Sequence, residues 1–207
     1  MRCYVCLNSS QNLLREHVGV SVDEQLLESI AQQTVGLETD HQRLRRAAEL
    51  LDLQPGKIAI TIHRNGNWSY QGSVFERPAM VDLLVENLVA FNDRYYLLAP
   101  EQLLEIKVED LPFVVVDLNR SSDNRQVTAT TNLGHSVVIN DRHPCYLSNL
   151  PDSALAVPCI ELRSGIAARL SRPMYYQLLE WCELESEQGE QYLRLYSDGC
   201  RFELGRV

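Results

Sequence analysis

From Lys57 onward apolar and polar positions alternate. Ile58, Ile60 and Ile62 fall on one face, and the return through Trp68 and Tyr70 keeps the same period. A period of two is that of a half-buried strand. Asn65-Gly66 stands between the two runs and predicts a hairpin with a type I′ turn, whose two central residues both need positive φ. The period then changes: "RPAMVDLLVENLVAF" sets Val81, Leu84, Val85 and Leu88 at helical spacing. "RYYLLAP" and "LLEIKVED" follow as two short strands joined through Pro100.

Residues 111–150 form a second strand-rich stretch. "FVVVDL" and "QVTATTN" flank a polar hairpin loop, "NRSSDN", and "SVVIN" leads into "DRHPCYL". The C-terminal part opens at "NLPDSALAVP". Ahead of Lys57 the pattern is helical. Ser21 and Glu24 form one capping box before Leu26, Leu27 and Ile30, and Thr39 and Gln42 form another before Leu44, Ala47, Ala48 and Leu51. Pro55-Gly56 marks the boundary.

One phrase is written twice. Placing residues 60–108 over 159–207 sets Arg64-Asn65-Gly66 on Arg163-Ser164-Gly165 and Arg77-Pro78 on Arg172-Pro173. Each copy reads strand, turn, strand, helix, strand, strand, so the expectation is an internally duplicated α+β fold with mainly antiparallel sheets. The domains expected are a helical N-terminal extension (1–55), a first α+β repeat (56–112), connecting strands packed with the C-terminal half (113–150) and a second repeat (151–207).

Proline is tolerated in the first helical turn, and Ser171 is a fair N-cap for the second helix. An arginine at that end opposes the helix dipole by about 0.3–1 kcal/mol. Arg77 and Arg172 therefore have other work, either pairing with neighbouring carboxylates or contributing to an anion site at the junction of the copies. Trp68 and Tyr70 share a strand face. They serve either as core aromatics or as a stacking surface for a planar ligand, with Arg77, Arg163, Arg169 and Arg172 as anion donors.

Composition narrows the classes. The 207 residues are 45% hydrophobic and 23% charged, which suits a soluble globular protein, and no apolar run reaches a membrane span. The start "MRCYVCLNSSQNLL" has no signal-peptide apolar stretch, so a cytoplasmic location with free thiols is expected. The net charge of −9 is spread along the chain and argues against a nucleic-acid partner.

The phrases "IAITIHRNGNWSYQGSVFERP", "RYYLLAP", "IKVEDLPFVVVDL", "DRHP" and "IELRSGIAARLSRPMYY" resemble those of an uncharacterised bacterial family, domain of unknown function 1285, from about Lys57 to the C-terminus. Asn65 replaces the family's usual Asp, and Ala99 its usual Thr. The resemblance implies a duplicated α+β fold whose C-terminal half is similar to pleckstrin-homology-like folds. It also implies a ligand site between the halves for something nucleotide-like, and a role in signal transduction. It establishes no activity.

The residues carry no catalytic signature. Cys3 and Cys6 form a C-x-x-C with no second pair to complete a zinc ribbon. His63, His135, Asp141 and His143, with Glu109-Asp110, can be drawn as a metal site, but their spacing does not demand one. The leading expectation is a non-catalytic ligand-binding or regulatory protein with no metal or cofactor. It would bind a small anionic, nucleotide-like ligand between the halves through Trp68, Tyr70, Arg77, Arg163, Arg169 and Arg172. A protein-interaction module working through residues 1–53 is the alternative. A metal-dependent hydrolase using His63, His135 and His143 is the second.

Overall fold

The computed structural model describes residues 27, 29, 30, 40–149 and 156–206. The readings at Cys3, Cys6, Ser21, Glu24 and Thr39 lie outside these residues. Before the first sheet comes α1 (Asp40–Leu51), and Ser29 and Ile30 are also helical. The first half then runs β1 (Gly56–Ile62), β2 (Trp68–Tyr70), β3 (Ser73–Val74), α2 (Pro78–Glu86), β4 (Leu88–Phe91), β5 (Arg94–Leu98) and β6 (Leu103–Val108). The second half runs β7 (Phe113–Arg120), β8 (Val127–Thr131), β9 (Ser136–Val138), β10 (Cys145–Ser148), β11 (Val157–Arg163), β12 (Ile166–Leu170), α3 (Arg172–Glu180), β13 (Glu183–Glu187), β14 (Glu190–Ser197) and β15 (Cys200–Arg206). The fold is α+β, dominated by strands.

The first six strands form one sheet in the order β3-β2-β1-β6-β5-β4, and the next six form another in the order β10-β11-β12-β7-β8-β9. In each, the first and last strands pair parallel at the centre, β1 with β6 and β7 with β12, and every other neighbour is antiparallel. Numbered from its own first strand, each sheet has the same order. β13, β14 and β15 make a separate antiparallel sheet. The two stretches matched by sequence share their order of elements but not their pairing. The first closes into one sheet, whereas the second gives β11 and β12 to one sheet and β13–β15 to another.

Local chemistry departs from two expectations. The type I′ turn does not form at Asn65-Gly66. Only Gly66 takes positive φ there (84°), and the bonds from Gly66 N–H to His63 O and from His63 N–H to Asn67 O make a three-residue loop with a glycine bulge. The next turn, Gln71-Gly72, is a two-residue turn with both φ values positive, between the paired Tyr70 and Ser73. The helical run from Arg77 also stops earlier, at Glu86. Asn87, almost fully buried, donates from its side-chain amide to Leu83 O at 3.1 Å and to Ile30 O at 3.0 Å, so the chain leaves the helix and continues as β4.

One apolar core runs through both halves. It joins Ile60, Ile62, Leu84 and Leu97 of the first to Phe113, Val115, Ile160 and Ile166 of the second, and it includes Leu27 and Ile30 from the extension. On the other face of the first sheet Ala47 and Leu50 of α1 cover Val89, Tyr96, Leu98 and Leu103. The described residues of the extension are thus packed into the first half by ordinary burial. No helix among the described residues is long and apolar enough to cross a membrane.

Candidate functional site

The repeated turns explain how the halves meet. A Cβ on Gly66 would stand 2.5 Å from Asn132 Nδ2, and one on Gly165 would stand 3.2 Å from Ala90 Cβ. Each turn of the repeated phrase therefore rests on the opposite half, and each needs glycine both for its positive φ and for the close approach. Asn132 holds the first contact. Its amide donates to Gly66 O at 3.1 Å, its Oδ1 accepts from Val114 N–H at 3.0 Å, and its own N–H donates to Val114 O.

The arginines that open the two turns also cross or approach the seam. Arg163 Nη2 donates to Val85 O at 2.5 Å and Leu88 O at 3.1 Å, capping the C-terminal end of α2. A cation at that end suits the helix dipole. Arg64 Nε lies 3.6 Å from Asp110 Oδ2, and Arg169 Nη1 donates to the same oxygen at 2.7 Å. The Asp110 side chain is only 5% exposed. This carboxylate on the connection between the halves holds one arginine from each.

Glu109, beside it, accepts from Arg64 N–H at 3.1 Å and lies 3.1 Å from His63 Nδ1. These bonds, the Arg64 N–H foremost, lower the Glu109 pKa. His63 Nε2 lies 2.8 Å from Ser69 Oγ. The order serine, histidine, carboxylate is that of a hydrolytic triad. Ser69, however, is 2% exposed within β2, and the neighbouring Arg64 and Gly66 N–H groups are already bonded to Glu109 and His63. The trio ties β1, β2 and the connection to one another.

Between the end of α2 and the second half lies a cavity of about 220 Å³. Val85 and Phe113, both buried, form its floor, Val137 and Leu162 add apolar wall, and His135 and Arg163 stand beside them. Ser136 and Glu86 complete the rim, with Glu86 held by Arg43 at 3.3 Å. The His135 ring stands edge-on to Phe113 at 5.8 Å. Its Nε2 is closed off from solvent and has no partner among the described residues. A buried polar atom left so costs about 1–3 kcal/mol. A larger hollow of about 760 Å³ lies between the turns around Asp123–Gln126 and Ser197–Gly199, bounded mainly by hydrophilic turn residues from the second half alone.

Of the six residues singled out from sequence, only Arg163 lines the seam cavity. Trp68 is a core residue at 2% exposure, its Nε1 without a partner among the described residues, and Tyr70 packs on Phe75 at 6.4 Å. Arg77 is exposed at the N-cap of α2, the end opposite to the one Arg163 holds. Arg172 is exposed in the first turn of α3, where Ser171 is the N-cap residue but makes no side-chain capping bond. Arg169 is engaged by Asp110. The arginine set is therefore distributed along the seam and beyond it.

The histidines of the hydrolase alternative have separate partners: Glu109 and Ser69 for His63, Phe113 for His135, and Glu161 O at 3.1 Å for His143 Nδ1. Among the described residues no group of three or more His, Cys, Asp or Glu side chains is placed to hold a metal. Sequence reasoning missed Asn132, gave Arg64 no role in the site, and named Asp110 only as part of a possible metal site. Arg64 had a signal: it occupies in the first copy the place of Arg163 in the second.

Comparison with known proteins follows the division into halves. The model of the domain of unknown function DUF1285, N-terminal domain, matches residues 53–111, and that of the C-terminal domain of the same protein of unknown function matches residues 112–204. A crystal structure of a DUF1285 family protein from Silicibacter pomeroyi DSS-3 superposes with a TM-score of 0.67 at 30% identity, covering 86% of this chain and 95% of that one. A second, from Shewanella baltica OS155, gives a TM-score of 0.47 at 22% identity over 59% of this chain and 91% of that one. A search of curated proteins finds no match.

Proposed function

The chain belongs to the DUF1285 family, and on that footing we propose that it is a non-catalytic ligand-binding or regulatory protein that takes a small anionic ligand in the seam cavity. The observation that carries this reading is that both halves build the cavity, Val85 and Glu86 from one and Phe113, His135, Leu162 and Arg163 from the other. Ligand sites favour such junctions, with an apolar lining and a few placed polar groups. Arg163 supplies positive charge beside the apolar floor, and the exposed Ser136 supplies a hydrogen-bonding hydroxyl.

The regulatory part of the proposal, a role in signal transduction in the cytoplasm, has a physical basis in the same place. A ligand held between halves that rest on each other's turns changes the balance of contacts across the seam. A duplicated architecture belongs to this reading; the common strand order of the two six-stranded sheets supports a repeat of β1–β6 in β7–β12, in place of the 60–108 and 159–207 match read from sequence. The pleckstrin-homology-like character of the C-terminal half is supported by its mainly antiparallel sheets and by α3, from which Gln177 reaches Leu118 O on β7.

A thermal-shift screen of purified protein against small organic acids, inorganic phosphate and mono-, di- and cyclic nucleotides tests the reading, with Ser136→Trp beside the wild type. A ligand at a hundredfold its Kd adds about 2.7 kcal/mol, which for a chain of this length raises Tm by roughly 5–10 °C. The expected result is a rise in the wild type that the blocked rim abolishes. A rise of equal size in both proteins places binding elsewhere.

A further inference from the structure

We infer that the outer edge of β13 is a docking site for an extended segment of a partner protein, with Lys or Arg at alternate positions and apolar residues between them. The inference is independent of the seam cavity. β13 ends its sheet: among the described residues it pairs with β14 on one side and has no strand on the other. The pairing is regular over all five residues, from Glu183 opposite Arg194 to Glu187 opposite Glu190. Gln188 and Gly189, both at positive φ, close the hairpin in two residues. β14 thus holds β13 in strand form, with one row of its backbone N–H and C=O groups turned outward. Such a row is a template for a further strand.

Length and side chains set this edge apart. β3 has two residues and β9 three, whereas β13 has five, four of them exposed. It has no proline, no lysine and no bulge, the usual devices that close an edge. Leu184 stands opposite Leu193, on the side of the sheet that gives Leu195 to the core, yet is 55% exposed. The apolar side of the sheet therefore runs out to the edge uncovered by any described residue. An apolar side chain on an added strand would cover it.

Charge chooses the occupant. From Pro173 to Leu193 the chain has Glu180, Glu183, Glu185, Glu187 and Glu190 and no Lys or Arg. Glu183, Glu185 and Glu187 alternate along β13 and so share its other face. Arg194 binds both Glu185 and Glu187, while Glu183 has no ion pair among the described residues. Three carboxylates against one guanidinium leave a balance of −2 along the edge. The other charges of that face, Glu190 and Glu203 against Arg201 and Arg206, cancel. A second copy pairing with the same edge would set Glu beside Glu, and like charges directly opposite each other destabilise a pair. Lys or Arg at alternate positions of an incoming strand meets the glutamates instead. Its intervening residues then fall on the side of Leu184, and the backbone row supplies affinity.

Fluorescence anisotropy with a labelled peptide, Lys-Val-Arg-Val-Lys between glycines, tests this. An isomer of the same composition, Lys-Lys-Arg-Val-Val between glycines, is its control. Glu183→Lys and Glu76→Lys, both at exposed positions, make the same charge change at the edge and in the first half. Hydrogen exchange with and without the peptide locates the binding. The alternating peptide is expected to saturate with a Kd below about 1 mM, at least about tenfold tighter than its isomer. Glu183→Lys should weaken it at least about threefold. Glu76→Lys should leave it unchanged, and exchange should slow within residues 183–187. Equal binding of the two peptides, equal loss in the two variants, or slowed exchange elsewhere shows general attraction to an acidic protein and overturns the proposal. Absence of binding overturns it too. So does exchange at β13 that slows with protein concentration alone, which makes the occupant a second copy.

Discussion

Arg163 of β11 donates to the carbonyl oxygen of Val85 at 2.5 Å, so a side chain of the second half closes a helix of the first. Together with the bond to Leu88 O, this ties Arg163 to the end of α2 and the start of β4. Charge-assisted bonds of this kind contribute about 1.5–3 kcal/mol, and Arg163→Ala is expected to lower Tm by roughly 4–8 °C. Arg163→Lys should lose about half as much. Arg77→Ala and Arg172→Ala, both at exposed positions, should stay within about 0.5 kcal/mol of the wild type. Scanning calorimetry of the four variants distinguishes the seam arginine from the helix-start arginines.

Gly66 and Gly134 both take positive φ, 84° and 80°, in loops of the same kind. Their surroundings differ. A Cβ at Gly134 meets nothing within 4 Å, and at Gly66 it meets the amide of Asn132. Gly134→Ala should therefore cost only the left-handed penalty of about 1–2 kcal/mol. Gly66→Ala should cost at least about 1 kcal/mol more, because Asn132 is held at both ends and cannot turn aside. In an Asn132→Ala background that excess should vanish, as a double-mutant cycle in urea will measure.

Alternation and period were enough to place β1, β2, β5, β6, β7 and α3 from sequence, because burial on one face imposes them. The order strand, turn, strand, helix was legible for the same reason. Pairing was not. Whether β15 lies against β11 or in a sheet of its own depends on contacts between segments far apart in the chain, which local pattern does not encode. The end of α2 was misread because Leu88 continues the helical spacing, whereas the stop comes from Asn87 bonding to Ile30 O, a residue far away in sequence. Among site residues, Arg163 was legible through the repeat. The partners that decide what an arginine does, Val85 O for Arg163 and Asp110 for Arg169, belong to the opposite half or to the connection.

Glu109 has a pKa below the ordinary carboxylate range, chiefly through the Arg64 N–H and also through His63. A depressed native pKa means that the group favours folding above its unfolded value and loses that contribution as pH falls through the native one. Glu185 and Glu187 behave likewise, Glu185 through Tyr196 and Arg194 and Glu187 through Arg194. Tm should therefore fall on acidification below about pH 4.5, the ordinary Glu range. Glu109→Gln should make that fall shallower while leaving the curve from pH 6 to 8 parallel to the wild type. Melting curves across the pH series will show it.

The described thiols Cys145, Cys159 and Cys182 share one cause of inertness. Burial pushes Cys159 up to about 12 and Cys182 up to about 11, and it raises Cys145 as well. The thiolate is the reactive form, so at pH 8 these three should resist iodoacetamide in the native protein and label fully in guanidinium. Peptide mass mapping of the two samples reads the difference. Labelling of Cys159 at native pH at the rate of a free thiol would contradict the packing of β10 on β11.

The measurement that bears most directly on the seam as the functional site is a methyl chemical-shift titration. Protein carrying ¹³C methyls on Val and Leu is titrated with 3-methylbutanoate, one of the small organic acids of the thermal-shift screen. The account requires saturable shifts concentrated at Val85, Val137 and Leu162, with little change at Val127 or Leu195 in the second-half core. Shifts centred on the hollow beside Asp123 and Asp198, or cavity methyls that stay unmoved while the acid binds, would contradict it.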